Sequence, residues 1–251
     1  MASSENRVVF RDDPVNGPDH LKEAGKPIGH QNRYLAVGNY ETIDDVFNNA
    51  QTGSIYSVAP GQVVPGDFIY IDFDSNGILN GQDKVAVDEL NYPLHTYGLN
   101  LGFEWKGLSF SAMFYAPTGV YKLVNSVYSA SFKSGKINAQ PDVMNAWTPE
   151  TANTTGVRAP ALHLTNDGAF NGTESTYSYQ NFSYLRLKTM ELGYNLPKKW
   201  LKTVGLKSLQ VYVTGNNLLT WWGGDDRIDP EGEQVQYPIL RSFTSGVRVS
   251  F

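Results

Sequence analysis

Cysteine is absent from this chain of 251 residues, which excludes a disulfide scaffold and any thiolate metal site. No apolar run approaches the ~18 residues that a membrane-spanning helix needs. There is no basic block of the kind that tracks phosphates, and the net charge of −5 is mild, so nucleic acid is not an expected partner. Histidine is scarce, and His20, His30, His95 and His163 contain no pair at metal-ligand spacing. A Gly-x-Ser-x-Gly elbow, a phosphate-cradling glycine loop and a His-Glu-x-x-His helix are all missing. Nothing assembles a nucleophile, a base and an oxyanion donor, so an enzyme is not expected. The opening Met-Ala-Ser-Ser-Glu-Asn lacks the basic and apolar regions of a signal peptide. Any exported reading therefore expects a mature segment or a fragment.

Aromatics and turn residues are plentiful instead: fifteen tyrosines, 24 glycines and 13 prolines are scattered along the chain and break it into short strands. Helical periodicity is confined to residues 42–50. The length suffices for one large β domain or two smaller ones. At the end of the chain, Phe243, Val247, Val249 and Phe251 share one face of a period-2 strand, while Ser242, Thr244, Gly246, Arg248 and Ser250 share the other. An amphipathic strand with an aromatic last residue fits the closing strand of an outer-membrane β-barrel, whose assembly signal these four apolar residues would form. An edge strand of a soluble sheet shows the same alternation.

The clearest hairpin spans residues 96–115. Tyr97, Leu99, Leu101, Phe103 and Trp105 alternate with Thr96, Gly98, Asn100, Gly102 and Glu104. Lys106 and Gly107 supply a two-residue turn, and Leu108, Phe110, Ala112 and Phe114 return opposite Ser109, Ser111 and Tyr115. Small polar residues opposite the apolar face suit a crowded or water-filled lumen. A second hairpin covers residues 184–220, but Leu185 and Leu187 stand out of phase with Leu192 and Tyr194. Either a bulge or a portion above the bilayer accounts for that slip. Trp105, Trp200, Trp221 and Trp222 lie near strand ends, as interface aromatics do. Short connections at 106–107 and 197–205 belong on the periplasmic side; long ones at 116–182 and 221–240 belong outside.

Two loops hold clustered oxygen donors. Asp72, Asp74, Asn76, Asn80 and Asp83 occupy positions 1, 3, 5, 9 and 12 of a loop with Gly77 at position 6, the spacing of a calcium-binding EF-hand loop. The last position is Asp rather than Glu, and the flanks read as strands; an Asx-rich turn without metal is the alternative. Asp225, Asp226, Asp229 and Glu231 stand in a Gly/Pro loop, where paired carboxylates would serve a glycosidase, but a solvated surface is the expected reading.

Further segments recur in a definite order. Gly25-Lys-Pro-Ile-Gly29 precedes Tyr34, Gly38 and Phe47, and Pro65-Gly-Asp67 runs into the loop ending at Asp83. Tyr97-Gly-Leu-Asn-Leu-Gly-Phe103 follows, then Trp147-Thr-Pro-Glu150 with Asn153 and Arg158. Tyr184-Leu-Arg-Leu-Lys188, Leu192-Gly-Tyr194, Leu196-Pro197, Gly215-Asn-Asn-Leu218, Asp229-Pro-Glu231, Tyr237-Pro238 and Phe251 complete the series. Over residues 25–251 this order resembles the carboxy-terminal part of the SusC/RagA-type TonB-linked outer-membrane transporters. The resemblance implies a plugged barrel of about 22 strands, energised by TonB and capped by a SusD-like lipoprotein. It further implies import of oligosaccharides or peptides across the outer membrane.

The expected fold is therefore all-β, an antiparallel transmembrane β-barrel segment of about six to eight strands with long outer loops. Residues 1–24 are expected to form an irregular leader to it. A barrel leaves no open edge in lipid, so completion by residues outside this chain is expected, including the TonB-contacting region. The rival expectation is a soluble extracellular carbohydrate-binding β-sandwich with a structural calcium loop.

Overall fold

The computed structural model describes residues 1–49, 52–53, 63–124, 144, 146–152, 160–162, 171, 174–202, 205–224, 228–232 and 237–251. Asn153, Arg158, His163, Asp225 and Asp226, all named above, lie outside the described residues. In chain order the elements begin with β1 (Ala2–Ser3), β2 (Gln31–Arg33), β3 (Ala36–Asn39), helix α1 (Ile43–Asn49) and β4 (Thr52–Gly53). They continue with β5 (Phe68–Tyr70), β6 (Ile78–Leu79), β7 (Val85–Val87), β8 (His95–Trp105), β9 (Leu108–Thr118) and β10 (Tyr121–Leu123). The last are β11 (Tyr179–Asn181), β12 (Tyr184–Asn195), helix α2 (Lys198–Leu201), β13 (Ser208–Trp222) and β14 (Ser242–Ser250). Among the described residues no helix is long and apolar enough to cross a membrane.

The chain divides into two compact units. The first comprises Met1–Glu5, Leu90–Tyr121 and Asn181–Phe251. Its framework is one six-stranded sheet in the order β1-β8-β9-β12-β13-β14, antiparallel at every pairing. Short connections join β8 to β9 and β12 to β13, whereas β9 pairs with β12 and β13 with β14 across long ones. Lys106 (φ 48°) and Gly107 (φ 90°) both adopt positive φ, as a type I′ hairpin turn demands. Pro197 opens the next connection, with the single turn of α2 behind it. The register places Trp105 opposite Leu108 at the short-turn end, and Tyr184 opposite Trp222 at the end of the long connections.

The second unit comprises Asn6–Glu89 and Lys122–Gln180. Short ribbons β2-β7, β3-β5 and β4-β6 build it, around a cluster that includes Tyr34, Tyr40, Val46, Phe68, Tyr70 and Leu79. Helix α1, expected from the periodicity at 42–50, is closed by reciprocal bonds at its start. The Asp45 amide donates to Thr42 Oγ1 at 3.0 Å, and the Thr42 amide to Asp45 Oδ2 at 3.0 Å. One turn on, Val46 enters the core.

Candidate functional site

Period-2 alternation sorts the large sheet into two chemically distinct faces. Trp105 pairs with Leu108, Leu108 with Tyr194, Tyr194 with Val211 and Val211 with Val247. An apolar row thus crosses five strands, and a second runs through Phe103, Phe110, Leu192 and Val213. These side chains face outward: Leu99, Leu101, Phe103, Val211, Val213 and Val247 are all exposed. The terminal-strand residues follow suit, with Phe243 at 73% and Phe251 at 81% exposure, alongside exposed Val247 and Val249. In water such a surface would carry a large hydrophobic penalty; against lipid tails it carries none.

The phase slip in the second hairpin is a bulge. Register shifts between Leu187 and Thr189 against both neighbouring strands. Leu187 still lies opposite Phe114 and Met190 opposite Ala112, both on the apolar face. Lys188 is the extra residue relative to β9, and it keeps Leu185 and Leu187 on the same side as Leu192.

Toward the short-turn end, the other face carries a hydrogen-bonded side-chain network. Arg248 grips Glu191 with two nitrogens, Nη1 to Oε1 at 2.9 Å and Nη2 to Oε2 at 3.1 Å. Nη1 also donates to Gln210 Oε1 at 2.8 Å, and Gln210 Nε2 to Ser109 Oγ at 3.2 Å. Thr214 Oγ1 donates to Glu191 Oε2 at 2.9 Å, while the guanidinium lies 3.9 Å from the Tyr212 ring centre. Tyr212 packs across Gly246, where a Cβ would stand 2.6 Å from the phenol oxygen in its present position. A network joining β9, β12, β13 and β14 thereby ties the polar wall together.

Near the long-connection end, Arg186 is almost wholly buried and fully bonded. Its Nε donates to Thr220 Oγ1 at 2.9 Å, Nη1 to Glu231 Oε2 at 2.8 Å and Nη2 to Asp229 Oδ1 at 2.7 Å. Lys188 adds a bond to Glu231 Oε2 at 2.6 Å. Expected from composition as a solvated loop, Asp229 and Glu231 are instead partners of a buried cation. Burial raises the Asp229 pKa, but the bonds from Arg186 and from the Glu231 and Ile239 amides outweigh it and hold the carboxyl below its ordinary value. The signal available in sequence was the pair of cations, Arg186 and Lys188, inside a strand otherwise built for a membrane wall.

In the second unit, the turn at residues 72–83 brings Asp72, Asp74 and Asp83 together. One carboxylate oxygen from each lies within 4.8 Å of the others. Asp72 accepts from the Asn76 amide at 3.2 Å and the Gly77 amide at 2.7 Å. Burial pushes its pKa up, and these amide bonds bring it net below the usual carboxylate value. Asp83, fully buried, accepts from the Phe73 amide at 2.9 Å and the Asn80 amide at 2.7 Å. The other two residues of the candidate ligand set engage their side-chain oxygens within the turn, and Asn76 Nδ2 donates to Asp74 Oδ2 at 2.8 Å. Asn76 Oδ1 accepts from the Ile78 amide at 2.7 Å, and Asn80 Oδ1 from the Gln82 amide at 2.8 Å. Strands β5 and β7 flank the turn, where an EF-hand has helices.

No protein-family model matches the chain. Two curated relatives from Formosa agariphila do. TonB-dependent receptor P3 is 31% identical over 206 residues, covering 76% of this chain and 20% of the relative. TonB-dependent receptor P26 is 31% identical over 210 residues, covering 75% of this chain and 20% of the relative. The chain thus spans about a fifth of the length of these relatives. Among solved structures, the RagAB peptide transporter shares the fold with a TM-score of 0.64 at 24% identity, over 91% of this chain and 23% of that one. The chain is a portion of a SusC/RagA-type TonB-dependent transporter.

This SusC/RagA-type segment belongs to the outer membrane, and its apolar sheet face is the surface suited to it. Two of its ordered motifs meet in the second unit. Gly66 has φ 96°, and a Cβ there would lie 2.4 Å from the Trp147 ring. Asp67, fully buried, accepts from the Val64 amide at 2.8 Å and from Asn171 Nδ2 at 2.7 Å. Asn171 Oδ1 in turn accepts from the Phe68 amide at 3.1 Å. The Pro-Gly-Asp segment is therefore a backbone socket for a distant tryptophan and asparagine. A second buried cation, Arg33, stacks 3.0 Å over the Tyr179 ring and pairs with Glu89. Neither Asn171 nor Arg33 was marked by local sequence pattern.

Proposed function

We propose that this chain forms the carboxy-terminal wall of a TonB-dependent importer that takes up oligosaccharides or peptides beneath a SusD-like lipoprotein lid. Coupling to TonB resides in regions outside it, and residues 25–251 supply the barrel portion, with β1 of the preceding segment 1–24 pairing at the edge of its sheet. The carrying observation is the sheet's division into an exposed apolar face and a hydrogen-bonded polar face across five paired strands. A carbohydrate-binding sandwich would cover that apolar face with a second sheet. Here Leu99, Leu101, Phe103, Leu192, Val211 and Val213 remain about half exposed. Beyond its short pairing with β1, the outer edge of β8 has no backbone partner among the described residues, nor has the outer edge of β14. Each unpaired group costs several kcal/mol in hydrocarbon, so additional strands of the receptor are the natural partners of both edges.

Expression of the full-length receptor decides the matter. It should partition with outer membranes, require detergent for extraction and support uptake of labelled oligosaccharides or peptides by cells. A receptor recovered monodisperse and cooperatively folded in detergent-free buffer would overturn the membrane-wall reading.

Calcium is the proposed occupant of the turn at residues 72–83. Three carboxylates converge there, and hard oxygen donors are what that ion takes. Asp72, Asp74 and Asp83 would hold it, while Asn76 and Asn80 shape the turn.

A further inference from the structure

The end of the large sheet that carries the short connections concentrates positive charge. Lys106 occupies the two-residue turn, and Lys198, Lys199, Lys202 and Lys207 occupy the 196–207 connection, all exposed. No acidic residue occurs in residues 105–108 or 196–208, in a chain whose net charge is −5. Among the described residues none of these five ammonium groups pairs with a carboxylate. Glu104 stands next to the turn but opposite Ser109, on the polar face.

The two connections are neighbours, since the Asn195 amide donates to the Gly107 carbonyl at 2.7 Å. Each carries an exposed tryptophan: Trp105 ends the apolar row of β8, and Trp200 lies in α2 of the 196–207 connection. Trp105 is 63% and Trp200 64% exposed, and the Lys106 ammonium sits 4.8 Å from a Trp105 ring centre. Indole rings settle at the headgroup level of a bilayer, and lysines just beyond that level meet phosphates.

We propose that this end of the sheet is a docking surface for the anionic headgroups of glycerophospholipids, in the leaflet nearest the short turns. The five lysines supply the charge and Trp105 and Trp200 set the depth. The inference rests on the membrane-wall reading above. Lipid is favoured over an acidic protein because these connections close the end of the sheet that carries the apolar face, with Lys106 directly following Trp105 of that face.

The test uses the full-length receptor reconstituted in phosphatidylcholine bilayers with trace spin-labelled phosphatidylglycerol or spin-labelled phosphatidylcholine. The motionally restricted signal should show at least about a twofold association preference for phosphatidylglycerol, equivalent to about 0.4 kcal/mol. Replacing all five lysines by glutamine should abolish the preference, replacing them by arginine should keep it, and raised salt should weaken it. Heat-modifiable electrophoretic mobility reports that each variant is folded; should the fivefold variant not fold, Lys106→Gln with Lys202→Gln should give a partial loss. Equal restriction of both labels, or a preference that survives in the folded glutamine variants, would overturn the proposal. Absence of any restricted lipid with either label would instead sink the membrane-wall reading, and this proposal with it.

Discussion

Arg186 Nη2 stands 2.7 Å from Asp229 Oδ1, joining the long-connection end of the membrane wall to a loop 43 residues further on. Glu231, Thr220 and Lys188 complete the cluster, so the guanidinium is bonded on all three nitrogens. Removing one partner from a buried ion cluster is costly because the remaining charges keep their desolvation penalty. Arg186→Met is expected to destabilise the loop by about 3 kcal/mol. Limited proteolysis should find faster cleavage within residues 228–232, with the strand hairpins still resistant; an unchanged cleavage rate would show that the cluster does not hold the loop.

The same cluster sets a pH dependence. The Asp229 pKa is lowered in the folded state, so its contribution to stability is fully present above the ordinary carboxylate value. That contribution is lost as pH falls through the depressed folded value. Loop protection should therefore hold at neutral and mildly acidic pH and fail only below about pH 4. Hydrogen exchange of the Glu231 and Ile239 amides, both donors to Asp229, reads this directly. Loss of protection already near pH 6 would contradict the assignment.

Much of the wall was legible because its signal is local. Alternation in Tyr97 to Trp105 and in Leu108 to Phe114, with Lys106 and Gly107 between, specifies a hairpin and its two faces without tertiary information. The conflict between Leu187 and Leu192 disclosed a bulge but not its site. Lys188 becomes the extra residue only through the pairing of Leu187 with Phe114 and Thr189 with Met113. Asp229 and Glu231 were misjudged because local composition cannot report a cation buried more than 40 residues away in another strand. In the acidic turn, spacing brought out Asp72, Asp74 and Asp83. It did not show that Asn76 and Asn80 spend their side-chain oxygens on nearby amides.

For the acidic turn, the expected result is a calcium-dependent rise in the melting temperature of the full-length receptor relative to chelator. A site binding only the folded state contributes about 2.7 kcal/mol when calcium is a hundredfold above its dissociation constant. Asp74→Asn removes an exposed donor that makes no long-range hydrogen bond, so it should abolish the calcium increment with little effect in chelator. An identical melt with and without calcium in the unaltered receptor would leave the Asx-bonded turn as the whole account.

The bulge allows a direct test of how the wall keeps its phase. Deleting Lys188 would remove the extra residue, so that the Leu187–Phe114 and Thr189–Met113 pairs become consecutive and β12 alternates without interruption. Leu185 and Leu187 would then stay on the apolar face with Leu192, and Arg186 would stay on the polar face with its bonds to Asp229 and Glu231. The deletion forfeits the Lys188 bonds to Glu231, as Lys188→Gln also does. Heat-modifiable mobility of the receptor in isolated outer membranes should therefore remain close to the unaltered level in both variants. A sharp fall for the deletion alone would mean that the bulged backbone is needed for more than the phase of the two faces.

The terminal strand allows the two faces to be compared within a few residues. Val247 is 57% exposed on the apolar face, opposite Val211, while Thr244 lies on the polar face opposite Thr214. Val247→Arg places a charge against lipid and should reduce barrel stability by about 2–4 kcal/mol if that position lies near the midplane. Thr244→Arg places the same charge in the lumen, where the wall already accommodates Arg248, and should cost much less. Phe243→Ala with Phe251→Ala removes apolar area from the face without adding charge. If these aromatics, with Val247 and Val249, form the recognition signal for assembly, the double variant should lower the amount of folded receptor reaching the membrane while leaving the stability of the molecules that fold nearly unchanged. Pulse-labelling of outer-membrane fractions separates the two quantities. A normal arrival rate with reduced thermal stability would assign those aromatics to lipid packing alone.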